Sequence, residues 1–262
     1  MSESERKVNP LLAVVNTHIS MIAFFAVLLL WELACRGLQI PQFVLPAPSS
    51  IAGALIEVGA QRWFDHAFAT LSVALAGYGC AILVALPLAI GIVNSEFLSR
   101  LILPWLVVVQ STPIIAVAPI IVVTLGTGHL PKVVITMLIT FFPLVISAAT
   151  GLASAPSELV ELSRSLRAPV RREYLQIRIP YAMPYLFSAL KVGITLSIIG
   201  AVVAEFVAAE LGLGYLILFS TSSFKVPVAF AALAILVLTS LTLYGLVAFL
   251  QRRFFPWGLK GA

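Results

Sequence analysis

The chain has 262 residues, of which 61% are hydrophobic and only 10% charged, with a formal net charge of +5. That balance lies outside the range of water-soluble domains and points to an all-α, polytopic membrane protein. The excess of Lys and Arg is met by the positive-inside bias of membrane loops and needs no nucleic-acid partner.

A membrane-spanning helix needs about 20 largely apolar residues, and six stretches qualify. The first, Ser20–Cys35, follows a polar segment, residues 1–19, read as a cytoplasmic tail. Ala67–Val93 contains Pro87, and Leu101–Leu125 contains Pro104, Pro113 and Pro119. In that third stretch Gln110, Ser111 and Thr112 immediately precede Pro113, so a polar triplet coincides with a helix interruption. Broken membrane helices often line a cavity, which makes the triplet a candidate for a translocation path; satisfaction of a kink inside the bundle explains it equally well.

Val133–Ala153 is the fourth stretch and Tyr185–Ala208 the fifth. In the fifth, Ala189, Gly193, Ser197 and Ala201 recur at four-residue steps and lead to Glu205. Such a face of small residues permits close helix approach, either between two copies or within one. Ser197 and Glu205 join the path candidates, since an ionisable residue inside a span usually faces a cavity or a partner. A backbone donor or Lys225 would satisfy Glu205 as readily as a path role. Ala229–Leu250 closes a transmembrane domain set at residues 20–251, followed by a cytoplasmic tail, residues 252–262.

Between the fourth and fifth stretches lies a polar island, ELSRSLRAPVRREYLQIRIP from Glu161 to Pro180, within a loop placed at residues 156–184. Leu159, Leu162 and Leu166, then Val170, Tyr174 and Ile177, recur at three- and four-residue steps, which predicts two short amphipathic helices. Pro156 suits the start of the first, with Glu158 in its first turn; Pro169 forces the break, and Pro180 is expected to stop the second. The island carries Arg164, Arg167, Arg171, Arg172 and Arg178. Together with Arg6, Lys7, Arg100, Lys191, Arg252, Arg253 and Lys260 they place the island and both termini in the cytoplasm.

Several chemistries are missing. There is no GxxxxGK[ST] loop, so any ATP is handled by a partner, and no HExxH, GxSxG or paired-carboxylate motif. His18, His66 and His129 lack ligand spacing and are read as loop or interfacial residues, so no catalytic residue, metal or bound cofactor is assigned. Cys35 and Cys80 are read as unpaired thiols.

The island's spacing resembles the EAA loop of type I ABC importer permeases: E-A-A, three residues, G, nine residues, I-x-L-P. Glu161-Leu162-Ser163 stands at the EAA position, Arg167 at the glycine, and Ile177-Arg178-Ile179-Pro180 at the end. Pro41–Ile51, His66–Tyr78, Ser111–Gly128 and Ile199–Ile217 are similar to the nitrate, sulfonate, taurine and pyrimidine-precursor branch of those permeases. The resemblance implies a bacterial inner-membrane permease working as a pair of this chain. It also implies two cytoplasmic ATPase subunits, which would hold ATP and Mg, and an extracytoplasmic solute-binding protein. The loop would dock on the ATPase through Glu161, Leu162, Arg164, Leu166, Arg167, Tyr174, Ile177 and Pro180. The solute would be small and polar or anionic, of the sulfonate, nitrate, taurine or pyrimidine-precursor class. An ion-coupled secondary transporter is the alternative, but it is expected to show internal repeats and midspan acids, and neither is evident.

Overall fold

The computed structural model describes residues 10–256, with the side chains of Ile19 and from Met21 onward. Arg6, Lys7, Lys260 and the outer parts of both expected tails lie outside the described residues. The rest is helical: α1 Pro10–Gly37, α2 Pro48–Val58, α3 Ala60–Asn94, α4 Glu96–Ser111, α5 Ile114–Leu125, α6 His129–Ala153, α7 Ser157–Ser165, α8 Val170–Arg172, α9 Ile179–Ala208, α10 Leu213–Ser222 and α11 Val226–Phe254. Between α8 and α9, Glu173–Arg178 is a π-helical turn.

Among the described residues, four helical runs are long and apolar enough to cross a membrane: α3, α6, the continuous run Val170–Ala208, and α11. The third expected span is not one straight helix. It is α4 and α5, bent by 96°. The break falls at Thr112 and Pro113, both extended, because a residue before proline is pushed out of the helical region and Pro113 cannot donate into the helix behind it. The first expected span lies within α1, which begins at Pro10 and so takes in part of the segment read as a tail. Likewise Arg252 and Arg253 stand in the last turn of α11.

The described residues form two compact units: α1, α2 and Phe219–Ala231 in one, and Gln61–Leu218 with the stretch from Ala232 in the other. In the first, the Glu32 carboxylate accepts from Ser49 N–H (3.0 Å) and Ser49 Oγ (2.7 Å) and pairs with Arg36. An acid thus meets an unsatisfied donor at the start of α2, where the helix dipole favours negative charge.

The second unit is built on α6 against α9. The four small residues Ala189, Gly193, Ser197 and Ala201 are all buried there, and a Cβ at Gly200 would stand 2.9 Å from Thr136 Cα. Close backbone approach of this kind is what small residues permit. The face is therefore used within one chain, and Ser197 is fully buried with its hydroxyl donating to Ile194 O (2.8 Å). Buried in the core and bonded to its own helix, Ser197 does not line a path in this structure.

Candidate functional site

The polar island folds into a segment with two differently used sides. α7 presents Leu159, Leu162 and Leu166 outward, with Leu166 73% exposed, and turns Val160 and Ser163 inward. Beyond the turn, Val170 and Leu175 are exposed as well, beside Arg167, Arg171 and Arg172. Exposed apolar side chains and guanidinium groups thus alternate along this segment, and Leu175 shares a recess with Arg171 and Arg172.

The inner side is locked. Arg178 Nε donates to Glu173 Oε1 (2.7 Å), Arg178 also donates to Leu152 O at the end of α6 (3.1 Å), and Arg164 approaches Glu173 at 3.5 Å. Tyr174 Oη donates to Asn94 Oδ1 at the end of α3 (2.6 Å), while the Arg178 guanidinium lies 5.6 Å from the Tyr174 ring centre. One expectation is corrected here. Tyr174, read as an outward anchor, is buried against Ala89, Ala148, Leu152 and Ala182. Arg178, one of the five arginines of the island, is buried and paired within the chain. Ile177 is half-buried, and Glu161 is exposed on the rim of a cleft of about 680 Å³ shared with Ser99, Thr150, Arg164 and Arg178.

Pro180 also behaves differently from the expectation that it stops the second helix. A proline ring would clash with the carbonyl four residues back in regular α geometry and has no N–H to offer. The wider π-turn, with Ile179 N–H donating to Tyr174 O, carries the chain past Pro180 into α9. Sequence periodicity at 3.6 residues has no signature for this widening, which is what rotates Glu173, Tyr174 and Arg178 inward.

The end of α7 keeps its glycine-type geometry without glycine. Arg167 has φ +50°, its N–H donates to Arg164 O (2.9 Å), and Ala168 N–H donates to Ser163 O (3.0 Å). That pair of bonds is a Schellman turn with arginine in the left-handed position.

At the α4–α5 break, Ser111 Oγ donates to Val107 O (2.8 Å) and Thr112 Oγ1 to Val108 O (3.0 Å). Both hydroxyls are thus occupied by their own helix. Gln110 is exposed on the wall of an otherwise apolar crevice of about 370 Å³ with Phe142, Pro143, Leu196 and Ile199.

A second polar cluster forms around Glu205. Three consecutive N–H groups at the start of α10 are met by side chains from α3 and α9: Gly212 N–H donates to His66 Nδ1 (3.1 Å), Leu213 N–H to Thr70 Oγ1 (2.8 Å), and Gly214 N–H to Glu205 Oε2 (2.7 Å). These are donors that a helix start leaves unsatisfied. Gly212 (φ +132°) passes so close to the Glu205 carboxyl that a Cβ there would collide with it. His66, read as a loop or interfacial residue, is buried. The signal available in sequence was the four-residue step His66–Thr70 on one helix face; nothing local tied His66 to a glycine 146 positions away.

The fold is that of a helical membrane protein with a basic amphipathic segment between two long apolar helices. The sequence profile described as "Binding-protein-dependent transport system inner membrane component" matches residues 77–256. The chain is 35% identical over 237 residues to the riboflavin transport system permease protein of Chloroflexus aurantiacus, covering 90% of this chain and 88% of that one. It is 30% identical to the formylaminopyrimidine transport permease protein of Halalkalibacterium halodurans, covering 90% and 94%. A solved chain of the MetNI methionine ABC transporter, in an inward-facing conformation, superposes with a TM-score of 0.64 at 18% identity over 71% of this chain and 93% of that chain, a likeness of fold. This protein belongs to the family of inner-membrane components of binding-protein-dependent transport systems. It is an ABC importer permease subunit and a transport component, with ATP hydrolysis carried out by a separate subunit.

Proposed function

We propose that two copies of this chain form the path by which a small polar or anionic organic solute enters the cell, with both termini and residues 156–184 in the cytoplasm. Two ATPase subunits, holding ATP and Mg, dock on that segment, and an extracytoplasmic solute-binding protein delivers the solute. Relatives named for riboflavin and formylaminopyrimidine support a small organic solute.

The observation that carries the reading is the outward surface of Leu159, Leu162, Leu166, Val170 and Leu175 beside Arg167, Arg171 and Arg172, on a segment whose other side is tied to the ends of α3 and α6. A short helix with an apolar stripe fits a groove on a partner. Because Tyr174–Asn94 and Arg178–Leu152 join the segment to two spanning helices, a rigid movement of the docked subunit is passed to their ends. Co-purification with the cognate ATPase tests this. Leu162→Asp with Leu166→Asp is expected to abolish the complex while the chain still reaches the membrane; an undiminished complex would rule out docking on this surface.

A further inference from the structure

At the α10 end of α9 a cleft of about 590 Å³ is lined by Thr127, His129, Lys132, Glu205 and Glu210, among others. Glu205 is 2% exposed. Its Oε2 takes the Gly214 N–H, and the Thr70 hydroxyl and Tyr215 N–H also lie against the carboxyl, but Oε1 is buried with no hydrogen-bond partner. A buried carboxylate oxygen left unpaired is costly and calls for a missing donor. On the same cleft, Lys132 in the first turn of α6 is half-buried, and among the described residues it makes no ion pair or side-chain hydrogen bond. Glu210 is exposed at the rim, and His129 Nε2 lies 3.4 Å from Ser72 Oγ.

We propose that this cleft binds a small zwitterion, its carboxylate or sulfonate on Lys132 and its ammonium donating to Glu205 Oε1, with Glu210 adding attraction at the rim. The charge arrangement selects this class. A simple anion would gain Lys132 but face two carboxylates, and a simple cation would gain the carboxylates but face the lysine. Only a ligand carrying both signs supplies the donor that Glu205 lacks and the anion that Lys132 lacks. As an entry subsite for solute the cleft rests on the importer reading above; the binding itself does not.

The permease–ATPase complex in lipid nanodiscs, observed by saturation-transfer NMR with glycine, 2-aminoethanesulfonate, acetate and ethylammonium as probes, tests this. The two zwitterions are expected to give transfer where acetate and ethylammonium give little. Lys132→Met and Glu205→Gln should each weaken the zwitterion signal about fivefold or more. Glu210→Gln, which alters only an exposed rim residue, should weaken it less, and serves where the buried variants fail to fold. No transfer from either zwitterion, acetate binding as well as glycine, or signals unchanged in the variants would each overturn the site. Co-purification of the ATPase, scored on the same samples, separates the two readings: an assembled complex with no zwitterion signal removes the cleft alone, and loss of assembly with the signal retained removes the docking surface alone.

Discussion

Arg167 shows how far a single side chain can depart from a backbone pattern without breaking it. A residue with a Cβ in the left-handed region costs on the order of 1 kcal/mol relative to glycine, yet both Schellman bonds of the turn are made. Arg167→Gly should therefore relieve about 1 kcal/mol of local strain, offset in part by the freedom glycine gains in the unfolded chain, and leave ATPase binding intact. A pull-down that loses the ATPase would count against this. Gly212 sits at the opposite extreme, since any side chain there meets the Glu205 carboxyl. Gly212→Ala is expected to lower the thermal unfolding midpoint of the purified chain, by an amount equivalent to roughly 1–3 kcal/mol, because the N–H contacts that anchor α10 would have to shift. An unchanged midpoint would show that the cluster yields easily.

At the scale of elements, the segment from α7 to the start of α9 is the one whose use depends most on packing. Its amphipathic spacing is plain in the sequence, and α7 turns Leu159, Leu162 and Leu166 outward together, as a 3.6-residue period requires. The second half escaped the same logic. The π-turn adds a residue to the local repeat; Tyr174 lies in the core and Leu175 is exposed, while Val170 of the expected stripe stays outward. Glu173 and Arg178 become a buried pair, their side chains 8% and 10% exposed. Removing one partner of such a pair leaves a buried charge uncompensated, at a cost of about 3–5 kcal/mol. Glu173→Gln should accordingly destabilise the segment and uncouple ATP hydrolysis from uptake more than Leu175→Ala does. Tyr174→Phe, which removes only the bond to Asn94, should cost about 1 kcal/mol. Equal uptake in Glu173→Gln and the unaltered chain would show that the inner lock is not needed for coupling.

For the whole molecule, orientation is the property most open to a direct test. The proposed orientation, with the 156–184 segment inside the cell, follows from the positive-inside bias of Lys and Arg near the helix ends. With Cys35 and Cys80, both free thiols, replaced by Ala, Leu166→Cys is expected to react with a membrane-impermeant thiol reagent in inside-out vesicles and not in intact cells. Labelling in intact cells would reverse the topology and with it the docking surface. The same scale holds the path question. Ser197 is sealed between α6 and α9, whereas Ser111 and Thr112 are exposed while each donates to its own helix, so Gln110, Ser111, Thr112 and the Glu205 cleft are the described candidates with access to open space.

Composition and periodicity by themselves determined a helical membrane protein, the break before Pro113, and a basic amphipathic segment between the fourth and fifth apolar stretches. Each of these is a local property: hydropathy summed over a span, the steric rule for a residue before proline, the repeat of one helix face. Tertiary structure alone decided which way Tyr174 and Arg178 face, that the small residues of α9 serve packing within one chain, and that His66, Thr70 and Glu205 converge on the first N–H groups of α10. Those outcomes depend on partners far away in the chain and on one widened helical turn, and pattern within a short window carries no information about either.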